Sequence, residues 1–113
     1  MHEPYSAFKS YGDFLAFARN LHISVVHARF SAVDAENKCQ SYRAKEGSED
    51  FSIIRSSFLF EDSIKAAAKL RTLEAIEAAF FNTLSEDAKN DMNRICKETD
   101  IYMQSKRKEG RLF

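Results

Sequence analysis

Three histidines, His2, His22 and His27, and two cysteines, Cys39 and Cys96, are the side chains best suited to hold a metal or to act as nucleophiles. Their spacing argues against both roles. His22 and His27 are five residues apart, so on a helix their side chains diverge and do not share one ion. Neither a His-Glu-x-x-His pair nor the Glu-x-x-His of carboxylate-bridged bundles occurs. The cysteines form no CxxC pair and stand on or beside apolar helical stripes, where a reduced, buried thiol is the usual occupant. The expectation is that His22 and His27 flank the core, that both thiols lie in it, and that the chain carries no metal site and no cofactor.

Other chemistries find equally little. There is no Gly-x-Ser-x-Gly elbow, and Gly12, Gly47 and Gly110 are too scattered for a phosphate loop. The segment RNLHISVVH invites comparison with the Arg–His motif of the all-helical HEPN ribonucleases. Here His22 follows Arg19 after two residues and His27 after seven, which departs from that motif, so no activity is carried over. Glu61/Asp62 and Glu86/Asp87 read as helix starts rather than acid–base couples. No catalytic residue is expected. An enzyme remains conceivable only where carboxylates or histidines from distant segments converge in a pocket.

Composition bounds the rest. A chain of 113 residues fits one domain. Ten phenylalanines against one proline and three glycines imply few turns and long elements, hence helices. Net charge is zero, with 17 basic and 17 acidic residues, so no domain-wide field exists to hold a nucleic-acid backbone. No apolar run approaches the roughly 18 residues of a membrane span. The opening MHEPYSAFKS lacks the basic and apolar regions of a signal peptide, which makes a cytoplasmic location the default expectation.

The elements that would position any site follow from periodicity. Tyr11, Phe14, Ala18, Leu21, Val25, Ala28, Ala32, Ala35, Cys39 and Tyr42 recur at alternating steps of three and four, an unbroken heptad seam. It predicts a helix over about residues 6–45, closed by Gly47. Ser48 with Glu49 and Asp50 suggests a second helix over 49–84, with Ala66, Leu70, Leu73, Phe80 and Leu84 on its apolar face. Glu61 to Ser63 could equally interrupt it. Ser85 opens a third over 86–109, with Ala88, Met92, Ile95, Thr99, Tyr102 and Lys106 on one face, and 110–113 form a tail.

The first helix carries a second apolar stripe, Ile23, Val26, Phe30 and Val33, opposite part of the seam. A helix over 6–45 would be about 60 Å long, whereas a compact chain of this size has a radius of gyration near 13 Å. Either this helix breaks near Phe30 to Asp34, where Ser31 and Asp34 could form a weak capping box, or the molecule is elongated and needs a partner. The reading is an all-α protein: a long antiparallel helical hairpin plus a third helix, a three- to four-helix bundle, forming a homodimer. Its expected work is binding another protein, as a regulator, inhibitor, immunity protein or adaptor, with Ile23, Val26, Phe30 and Val33 as contact residues. The alternative is a nucleic-acid-associated accessory protein using Lys106, Arg107, Lys108 and Arg111. No membrane partner is expected.

Overall fold

The computed structural model describes residues 8–110, and every regular element in that range is an α-helix. Helix α1 spans Tyr11–Arg43, α2 Ile53–Asn82 and α3 Glu86–Lys108. Each begins at a serine whose hydroxyl accepts a backbone N–H of the first turn: Ser10 from Asp13, Ser52 from Arg55, Ser85 from Ala88. Asp13, then Glu86 and Asp87, place negative charge at the N-termini of α1 and α3, and Lys106, Arg107 and Lys108 place positive charge at the end of α3. No helix among the described residues is long and apolar enough to cross a membrane.

α1 is the spine. α2 runs back along one side of it, and α3 returns on another, parallel to α1, so that both pack on the first helix. The heptad seam is what α1 turns inward: Phe14, Ala18, Val25, Ala28 and Cys39 are buried and the intervening seam residues half-buried. The small residues Ala18 and Ala28 let neighbouring helices approach closely. From α3, Ala88, Met92, Ile95, Thr99 and Met103 complete the core. Ala18, Met92 and Ile95 form its centre, with Phe80 and Phe81 of α2 and Leu84 of the following turn packed against them. At one end Phe14, Phe17 and Phe80 meet edge-on or tilted, with ring centroids 5.0–6.1 Å apart. At the other end Phe51 stacks on Tyr42, whose hydroxyl accepts the Ser52 N–H at 2.7 Å and so ties the hairpin loop to α1.

Of the two alternatives open for the first helix, the structure takes the long one: α1 is continuous, with no break between Phe30 and Asp34, and the molecule is elongated, with extents of 67 × 28 × 19 Å and a radius of gyration of 18.5 Å. Elsewhere the structure departs from the sequence expectations. α2 starts at Ile53, not residue 49. Gly47 adopts a φ of 91°, the backbone reverses through the following turn, and Ser52 rather than Ser48 supplies the cap. Glu61 to Ser63 do not interrupt α2. On α3 the buried face advances from Thr99 to Met103, leaving Tyr102 more than half exposed. A step of four follows the true helical repeat better than the step of three read from sequence.

The second stripe of α1 is largely enclosed by the chain itself. Val26 is buried, Ile23 and Phe30 are half-buried, and Val33 alone of the four is exposed. Arg107 of α3 lies over the Phe30 ring, 4.3 Å from its centroid, and reaches Asp34 at 2.5 Å. Helix α3 is thus much of the answer to what covers that face. The surplus apolar surface lies elsewhere. α2 contributes no fully buried residue, and its Ile53, Ile54, Phe58, Phe60, Ile64 and Ile76 are each about half exposed or more.

Candidate functional site

His22 stands one residue off the seam of α1, on the side where α2 and α3 come together. It is only 4% exposed, so its ring must find partners within the protein. Each nitrogen has one. Nδ1 lies 2.7 Å from a Glu77 carboxylate oxygen on α2, and Nε2 lies 2.7 Å from an Asp100 carboxylate oxygen on α3. A carboxylate only accepts, so both contacts are hydrogen bonds when both ring nitrogens carry protons. The arrangement therefore holds an imidazolium. Its pKa is raised from 6.5 to about 10, first by the Cys96 sulfur against the ring, then by the hydrogen bond to Glu77. Burial opposes the shift and Asp100 adds to it. Arg29, one helical turn pair along α1, continues the network to Glu74 at 3.8 Å and to Asp100 at 4.0 Å.

The local sequence explains how each group is aimed. Leu70, Leu73 and Phe80 mark the face of α2 that packs inward, and Glu77 falls on the same alternating series. On α3, Cys96 and Asp100 are four residues apart and share a face. Arg29 lies seven residues after His22 on α1, two turns along the same side. α2 thus contributes Glu77 and α3 contributes Cys96 and Asp100 around the His22 of α1, and removing any helix would dissolve the cluster. Beside it opens a cleft of about 420 Å³ bounded by His22, Arg29, Glu74, Glu77, Met92 and Cys96. The Cys96 sulfur, a His22 nitrogen and a Glu77 oxygen all lie within 4.8 Å of one another. This is the convergence of histidine and carboxylates in a pocket on which an enzymatic reading depended.

The residues singled out from sequence are placed differently. His27 lies in a shallow groove with Ile23, Ala66 and Leu73, away from His22. Cys39 is buried, whereas Cys96 is only half-buried and faces the cleft; both thiols are free. Lys106 pairs with Glu109 at 3.8 Å and lies over the Tyr102 ring, Arg107 is engaged with Asp34 and Phe30, and Lys108 is exposed. Arg111 and His2 lie outside the described residues. The cluster at His22 was missed because its members are 55 and 78 residues apart in the chain. A signal existed: Glu77 is a charged residue at a seam position of α2, and His22 interrupts an apolar stretch of α1. Burying two such groups costs several kcal/mol unless they meet. Pairing the two was the inference available.

No protein-family model, curated protein or solved structure matches this chain, so its chemistry is read from its own residues.

Proposed function

We propose that this chain acts by protein association and that it pairs first with a second copy of itself through the outer face of α2. The observation that carries this reading is the 30-residue helix with no fully buried residue and five exposed bulky apolar side chains in its first twelve positions, Ile53, Ile54, Phe58, Phe60 and Ile64. Contiguous apolar surface of this kind is uncommon on a monomer. The same face changes character along its length: Ala68, Ala75, Ala78 and Ala79 are exposed in the second half. An antiparallel pair with its two-fold axis beside residue 66 sets large against small. Ile54 then meets Ala78 of the second copy, Ser57 meets Ala75, and Ile64 meets Ala68. The same register brings Glu61 to Arg71, opposite charges across the seam. The face is about 45 Å long, and a self-complementary, two-fold interface is the commonest form of oligomer.

A dimer of this kind suits a regulator, inhibitor or adaptor, whose target would be engaged by the composite surface. Light scattering should give twice the 13.0 kDa chain mass at micromolar concentration. Ile64→Glu and Arg71→Glu should each shift it to monomer, and Glu61→Arg joined to Arg71→Glu should restore the dimer. A monomeric parent, or a dimer indifferent to Ile64→Glu, would overturn the reading.

A further inference from the structure

We propose that His22, Glu77 and Cys96 together bind one divalent cation of the zinc class. The three donors come from three different helices and offer one imidazole nitrogen, one carboxylate oxygen and one sulfur. Since no two of these atoms are more than 4.8 Å apart, some point lies within about 2.8 Å of all three. Zinc takes its ligands at about 2.0–2.3 Å. The Glu77 oxygen, now 2.7 Å from Nδ1, must swing outward by about half an ångström to admit the ion between them, and the more distant donors must draw in by a similar amount, adjustments on the scale of side-chain torsions.

The donor set selects the metal. A thiolate and an imidazole favour zinc or cobalt, whereas magnesium and calcium call for oxygen cages. Three protein ligands leave a fourth position, and the cleft of about 420 Å³ on that side has room for a water or a small ligand donor there. Asp100 has a distinct part. It accepts the Nε2–H of His22 at 2.7 Å, which fixes the ring and leaves Nδ1 to face Glu77 and the metal. Carboxylate–histidine–metal arrays use this second hydrogen bond to orient the ligand and raise its basicity.

Charge balances as well. Binding exchanges one dication for two protons, one leaving Nδ1 of the imidazolium and one leaving the Cys96 thiol. Glu77 stays a carboxylate, so the net charge of the cluster is unchanged. The metal replaces the Nδ1 proton that now bridges His22 and Glu77, which spares the site the cost of an uncompensated buried charge. This inference does not depend on whether the chain pairs through α2.

The test is titration of chelator-treated full-length protein with cobalt chloride, read by absorbance. One equivalent per chain should produce a thiolate-to-cobalt charge-transfer band together with the intense visible bands of a four-coordinate ion, both abolished by added zinc. Cys96→Ser should remove the charge-transfer band and Cys39→Ser should keep it. Asp100→Asn should keep the band and weaken binding about 10- to 100-fold. Absence of the band in the parent protein, or its survival in Cys96→Ser, would overturn the proposal. Should Cys96→Ser fail to fold, zinc protection decides the matter on the parent protein: Cys96 left as reactive to a thiol reagent with zinc as without it would overturn the proposal.

Discussion

Replacing His22 by glutamine should convert a pH-dependent stability into one that is nearly flat over the same range. The parent side chain is charged in the folded protein up to about pH 10 and in the unfolded chain only up to about 6.5. Between those values unfolding releases a proton, so the folded state binds more protons and its stability falls as pH rises. The contribution is therefore complete below about pH 6.5 and gone above about pH 10. A shift of this size corresponds to about 5 kcal/mol at most, at 1.36 kcal/mol per unit. Asp100 is 45% exposed, and water screens its share, so a loss of about 2–4 kcal/mol across the window is expected. The assay is urea unfolding followed by far-ultraviolet circular dichroism, with a chelator present, at several pH values through the window. Lysines, tyrosines and thiols that titrate at the alkaline end do so in both proteins, so the difference between parent and His22→Gln is the readout. That difference should be largest at about pH 6.5 and should close toward pH 10. A gap that stays constant with pH would refute the reasoning, because it would mean that His22 is neutral and contributes hydrogen bonds alone.

Two other outcomes follow from burial. Cys39, which is 5% exposed, should react with a thiol reagent only as fast as the protein opens, whereas Cys96 at the edge of the cleft should react in the native state; equal rates for the two would contradict the placement. Phe14 is fully enclosed beside Tyr11 and Phe80, so Phe14→Ala should cost about 3–5 kcal/mol in urea unfolding, and a loss under 1 kcal/mol would show that the aromatic end of the molecule is not closed.

The placement of Tyr11 reinforces that end. Its hydroxyl donates to the Asp91 carboxylate on α3, and its ring stacks on Phe14 with centroids 5.9 Å apart. Together with His22–Asp100 and Asp34–Arg107, this gives α3 three polar ties spaced along α1. α3 buries only five residues, and the ties fix its register as well as its attachment.

What the sequence determined by itself is local and periodic. The heptad seam from Tyr11 to Tyr42 names the inward face of α1, because a 3.6-residue repeat places such residues on one side whatever they pack against. Ser85 followed by acids names the start of α3, because an N-cap is satisfied within its own first turn. What only the tertiary structure decided is everything that needs two helices at once. Whether α1 breaks was undetermined, since a continuous helix and a kinked one share the same seam. α1 stays whole because α2 and α3 cover different sides of it along its length. Val26 and Phe30 read as surplus on the isolated helix; in the fold Val26 is buried and Arg107 of α3 lies over Phe30, while the exposed apolar side chains Ile54, Phe58 and Ile64 stand on α2. The His22 cluster belongs to this second kind. His22 and Glu77 each look like a polar residue in an apolar run, and the charge that makes them compatible appears only when three helices bring an imidazolium, two carboxylates and a thiol together, where desolvation makes pairing obligatory.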